Sequence, residues 1–139
     1  GRSLWTQRTE NLTSKGKRVA MAEEKYFDER AVSRLDKIGG SNLIGQMIDL
    51  FLDNVPKRLE AARTAHQNGK LKDLERAAHS IKSSASNFGA QTLCDIAETI
   101  EIRAGEQNES GMAALLDKME ETFAKVKTGL EEKRKGLQE

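Results

Sequence analysis

Residues 71–87 read Leu71-Lys72-Asp73-Leu74-Glu75-Arg76-Ala77-Ala78-His79-Ser80-Ile81-Lys82-Ser83-Ser84-Ala85-Ser86-Asn87. Leu71, Leu74, Ala77, Ala78, Ile81 and Ala85 recur at three- and four-residue spacing, which places them on one face of a helix over 70–87. A helix with one apolar stripe must bury it against another element. The flanking sequence offers partners with the same period. Ile44, Met47, Ile48, Phe51, Val55 and Ala62 define a helix over 42–67, and Leu93, Ile96, Ala97 and Ile100 define one over 90–104. Met112, Leu115, Leu116, Met119, Phe123, Val126 and Leu130 define another, from Ser110-Gly111 to about residue 134. A shorter helix over 28–38 carries Val32, Leu35 and Ile38 and stops at Gly39-Gly40, as Asn68-Gly69 stops the next. No stretch alternates apolar and polar residues as a strand requires. The pattern predicts an all-α fold: an antiparallel four-helix bundle with a short extra N-terminal helix. Pro56 removes a backbone donor inside the 42–67 helix, so a kink or local unwinding near Asp53 is expected.

Composition narrows the chemistry. A chain of 139 residues is the size of one domain. Its single Cys excludes an internal disulfide framework, and one Cys with two His is too few soft ligands for a structural zinc site. No apolar run approaches the roughly 20 residues of a membrane-spanning helix, so no membrane insertion is expected. The net charge of +1 is uneven: residues 1–20 hold five cations against Glu10, a balance of +4, which leaves −3 for the remainder. The folded part is therefore mildly acidic and lacks the basic stripe of a nucleic-acid binder. Residues 1–25 read as a basic, disordered leader or linker, with Trp5 outside the fold, and 26–139 as the helical domain. The leader has no apolar core of a secretory signal, which with the lone Cys points to the cytoplasm.

Any histidine chemistry must use His66 or His79. His66 falls in the last turn before Asn68-Gly69, where a partly cationic ring suits the helix dipole. His79 is different. At about 100° of rotation per residue it stands well off the apolar stripe, with Arg76, Lys82 and Ser83 as helical neighbours. The serines around it are poor helix formers, but their low bulk lets a large partner reach the ring. A neutral imidazole nitrogen is a good nucleophile near neutral pH, and the adjacent cations can neutralise phosphoryl oxygens. A solvated surface histidine is the bland reading of the same residues.

The run Ala78-His79-Ser80-Ile81-Lys82-Ser83-Ser84-Ala85-Ser86-Asn87-Phe88-Gly89-Ala90, with Leu93 and the pair Ile100-Glu101, resembles the histidine-containing phosphotransfer (HPt) domain. That family has an Ala-His pair, a Lys three residues after the His, a Gly ten after it and a distal Leu/Ile-Glu pair. Residues 47–56 resemble its second helix. The resemblance implies a phosphorelay intermediate in which His79 takes a phosphoryl group from the aspartyl phosphate of a response-regulator receiver domain and passes it to another receiver. It implies that Lys82 neutralises phosphoryl charge and that Gly89 permits close packing or a turn after the His helix. It implies partners among receiver domains and hybrid histidine kinases, no nucleotide or other cofactor, and no metal of the chain's own, the magnesium ion sitting in the receiver. The family usually has Gly after the Lys; Ser83 stands there, still small, with a hydroxyl that can bond the phosphoryl group.

Leu43 and Leu50 lie about 100° from the centre of their stripe and can form a receiver-docking patch. Cover by the short first helix, through Val32, Leu35 and Ile38, is the favoured expectation. Met47, Met112 and Met119 read as core filler and Cys94 as a half-buried small apolar residue. With no large apolar surface left over, a monomer is expected. Two other functions stay open. A non-catalytic helical adaptor makes His79 incidental. The dimerisation region of a sensor kinase also exposes a helical His, but follows it with an acidic residue and a nearby Pro, whereas Ser80 follows His79 and the single Pro is Pro56.

Overall fold

The glycines and apolar stripes organise the chain much as their spacing predicts. A computed structural model describes residues 26–137; the leader over residues 1–25, Trp5 included, lies outside them. Four helices follow one another: α1 (Glu29–Gln67), α2 (Leu71–Asn87), α3 (Gln91–Gly105) and α4 (Met112–Leu137). Among the described residues there is no strand. α1 is two helical arms joined through Gly40, whose φ of 67° and ψ of −164° break the helix where only glycine is unstrained. The arm before Gly40 is the predicted short helix, which runs into the long arm without a loop. The helix does not unwind at Pro56: Gly40 alone departs from helical dihedrals in α1, and Asp53 stays in the helix. Pro56 is on the solvent face, where water can replace its missing donor and no neighbouring helix forces a bend.

Ion pairs fix the direction of the helices. Asp49 pairs with Arg134 at 3.0 Å, and Arg63 pairs with Asp117 at 2.7 Å and Glu120 at 2.9 Å. Residue numbers thus rise along α1 as they fall along α4, so the two are antiparallel neighbours. The contacts of residues 79 and 82 on α2 with 101 and 94 on α3 give the same result for that pair. With α1 also packed on α2 and α3 on α4, the bundle closes.

The interior is where the periodicity places it. Ile48, Val55, Leu74, Ile81, Leu93, Ile100, Met119, Val126 and Leu130 are all fully buried. Phe51 meets Phe88 edge-on, with ring centroids 5.4 Å apart, and Phe123 at 5.7 Å, joining α1, the α2–α3 turn and α4. Ala78 and Ala85 of α2 and Ala97 of α3 are also completely buried. Such short side chains let their two helices come close, and the Cys94 thiol reaches the Lys82 carbonyl at 3.6 Å.

The leading arm folds back onto the end of the His-bearing helix. Phe27, Ala31 and Val32 are buried, and the Asp28 side chain caps the arm by accepting from the Arg30 N–H at 2.8 Å. The Asp28 N–H donates to the Phe88 carbonyl at 2.8 Å. Gly89 makes this possible twice over: its φ is +61°, and a Cβ there would lie 2.5 Å from the Asp28 Cβ. The arm does not cover Leu50. Ile38 points away at 76% exposure and Leu50 is 59% exposed, so the expected cover fails; Gly40 turns the arm aside before it reaches that level of α1. Leu43 is half-buried. Met47 is half-buried too and packs against the edge of the core, not within it as Met112 and Met119 do.

Candidate active site

His79 projects from the middle of α2, opposite the buried stripe, with its side chain 59% exposed. Helix geometry alone accounts for that exposure. Its chemical setting comes from α3. The Nδ1 of His79 lies 2.7 Å from Oε2 of Glu101, a residue 22 positions further along the chain. The second oxygen of the same carboxylate, Oε1, lies 2.8 Å from the Lys82 ammonium. One carboxylate thus bridges the ring and the cation.

The protonation of this cluster follows from its geometry. Partial burial pushes the Glu101 carboxyl up, but the contacts with Lys82 and His79 outweigh it and hold the group below the ordinary glutamate range. The contact with Glu101 raises the Lys82 ammonium above its usual value, against the opposing effect of desolvation. An ionised carboxylate can only accept, so the proton in the 2.7 Å contact belongs to Nδ1 of the ring. In the neutral imidazole the free lone pair is then on Nε2, the outer nitrogen. The Lys82 contact is a close ion pair between two half-buried side chains. A second carboxylate, Glu98, also faces this ammonium at 3.9 Å.

The other predicted residues are more loosely arranged. Arg76 is exposed and sits 3.8 Å from Asp73, one turn back on its own helix. Ser83 is exposed, and its carbonyl accepts from the Ser86 hydroxyl at 2.9 Å. Gly89 forms the turn after the His helix, as described above. Leu50, Met47 and Phe51 line a groove of about 210 Å3 between α1 and α2, whose opposite wall is Ser84, Asn87 and Phe88. His66 takes no part: it is half-buried at the end of α1, with Nδ1 3.7 Å from Glu109. Among the described residues no group of three His, Cys, Asp or Glu side chains could hold a metal ion, and no helix is long and apolar enough to cross a membrane.

Residues 46–132 match the family model for the Hpt domain, a span from the long arm of α1 to the last turns of α4. The chain belongs to the Hpt domain family. Its role is that of a phosphorelay histidine phosphotransfer intermediate in two-component signalling. Over 103 residues this Hpt domain is 30% identical to the phosphorelay protein LuxU of Vibrio vulnificus strain YJ016, covering 71% of this chain and 89% of that one. Over 88 residues it is 28% identical to the phosphorelay protein LuxU of Vibrio harveyi, covering 62% and 77%. The fold is similar to the crystal structure of histidine-containing phosphotransfer protein B (HptB) from Pseudomonas aeruginosa PAO1. That match has a TM-score of 0.75 and 27% identity, and covers 79% of this chain and 95% of the other. Hpt phosphorelay proteins in general interact with response regulators and kinases. The leading arm of α1 lies before the matched span.

The sequence marks His79 and Lys82 as candidates but not the carboxylate that joins them. Glu101 was visible only as half of a motif pair; its role depends on the register of α2 against α3, which no local pattern records. The expected surroundings of His79 also change. The group in contact with the ring is an anion, and the nearest cation is already paired.

Proposed function

We propose that His79 is the phosphoryl acceptor and donor of this Hpt domain, receiving the group from the aspartyl phosphate of a receiver domain and passing it to another receiver. The Nδ1–H···Glu101 contact of 2.7 Å carries this reading, because it directs the nucleophilic lone pair to the exposed Nε2. The Nε2 electron pair forms the N–P bond as the aspartyl O–P bond breaks, and the receiver carboxylate leaves with the O–P bonding pair. The Nδ1 proton stays in place, so the phosphorylated ring is an imidazolium, whose positive charge makes neutral imidazole a good leaving group for the onward step. Glu101 stabilises that imidazolium, a role like that of the buried carboxylate behind a catalytic histidine.

Lys82 sits where it can neutralise phosphoryl oxygens, with Arg76 and the Ser83 hydroxyl as supporting groups at the exposed surface. The receiver docks over the α1–α2 groove, with Leu50 as its central apolar contact and Leu43 at the edge. The protein works as a monomer in the cytoplasm, bringing no cofactor of its own, alongside receiver domains and a hybrid histidine kinase. The test is to incubate the full chain with a phosphorylated receiver and follow acid-labile, base-stable label. Label should appear on the unaltered protein and be absent from His79→Gln. A His79→Gln protein that still acquires it refutes the assignment.

A further inference from the structure

Lys82 is held by two carboxylates from one side. Glu101 and Glu98 are one turn apart on α3 and face the same ammonium at 2.8 and 3.9 Å. Glu101 is committed to the ring, its other oxygen bonded to Nδ1 at 2.7 Å. Glu98 has no such second duty: it is 55% exposed and is recorded with no other ion-pair partner among the described residues. Cys94, the remaining titratable group beside this lysine on α3, is a half-buried thiol and not a competing charge. Both helices are locked by buried contacts, so in this cluster only side chains are free to move.

We propose that Glu98 is a positioning residue for phosphoryl transfer, holding Lys82 on the α3 side of the site and so limiting how tightly the phosphoryl group on His79 is retained. The proposal rests on His79 being the acceptor. When the Nε2–P bond forms and the aspartyl O–P bond breaks, the exposed end of the ring gains a group carrying nearly two negative charges. Lys82 stands one helical turn from the ring and shares Glu101 with it, and to reach the phosphoryl group its ammonium must move away from the two carboxylates. Glu98 opposes that movement by attracting the ammonium back. A lysine clamped on the phosphoryl group would stabilise the phosphohistidine and slow its departure. A lysine shared with Glu98 neutralises the group only in part, which suits a carrier that must both load and unload.

Glu98→Gln removes the charge and keeps the shape at an exposed position, so helicity should be unchanged by circular dichroism. The decisive measurement is the equilibrium distribution of label between a phosphorylated receiver and the Hpt chain. We expect Glu98→Gln to shift it toward the Hpt chain by about two- to fivefold, the size of effect one exposed ion pair carries. In a Lys82→Ala background the same substitution should change nothing. An unshifted equilibrium overturns the proposal, as does an equal shift without Lys82, which would mean that Glu98 acts on the phosphoryl group directly. These outcomes on a protein that does take label leave the role of His79 standing. Absence of label on the unaltered protein overturns both.

Discussion

Nδ1 of His79 and Oε2 of Glu101 lie 2.7 Å apart, joining the exposed ring on α2 to a carboxylate on α3. The contact fixes which nitrogen carries the proton and which way the plane of the ring is turned. Both properties would otherwise fluctuate for a side chain this exposed, and both matter to an in-line attack on phosphorus.

Glu101→Gln should therefore slow transfer from a phosphorylated receiver by about tenfold to a hundredfold, the range seen when the group orienting a functional imidazole is altered. Nitrogen NMR of the ring should show the single tautomer of the unaltered protein becoming a mixture. An unchanged tautomer ratio and an unchanged rate would together remove Glu101 from the mechanism.

The same cluster sets a pH dependence of stability. Glu101 is depressed below its ordinary value of 4.5, so its contribution is fully present above that pH and is lost as pH falls through the lower, folded-state value. Lys82 is raised above its ordinary 10.5, so its contribution is present below that pH and is lost as pH rises through the higher, folded-state value. Urea midpoints of the unaltered protein and of Glu101→Gln should differ most between these limits and converge at the acid end. A gap that persists at pH 2 would contradict the ionic origin of the effect.

Two glycines separate backbone strain from crowding. Gly69 and Gly89 share a positive φ, +70° and +61°, but a Cβ on Gly69 would meet nothing within 4 Å whereas one on Gly89 would strike Asp28. Gly69→Ala should cost only the dihedral strain, about 1–2 kcal/mol. Gly89→Ala should cost more, about 2–4 kcal/mol, because the leading arm must also move. Equal losses in chemical denaturation would mean that the Asp28–Phe88 junction yields freely.

The proposed docking surface is a different one. Leu50→Glu should weaken receiver binding by about tenfold in calorimetry, as loss of a central apolar contact does. Folding stability should change by less than about 0.5 kcal/mol, because the side chain is 59% exposed. Unchanged affinity would place the receiver elsewhere on the molecule.

The four apolar stripes and the exposure of His79 were legible in the sequence, because each depends on the 3.6-residue period of a single segment. Gly89 and Lys82 were marked by spacing within a family pattern. What sequence did not reveal arises between segments. The Glu101 bridge depends on how far apart α2 and α3 stand and in what register. The exposure of Leu50 depends on the direction Gly40 gives the leading arm, and Met47 is half-buried because it stands at the margin of its stripe. The helix keeps its dihedrals at Pro56 for a related reason: a missing donor disturbs a helix less on the solvent face than in a packed interface.

The buried alanines of α2 and α3 can be viewed as shims. A glutamate side chain has a fixed reach, so the carboxylate can touch the imidazole only while the two axes stay within that reach. Ala78, Ala85 and Ala97, all with no exposed surface, are the parts of the core that permit the spacing. A methyl group added at any of them is expected to disturb that spacing and, on the proposed mechanism, to slow transfer without touching the ring.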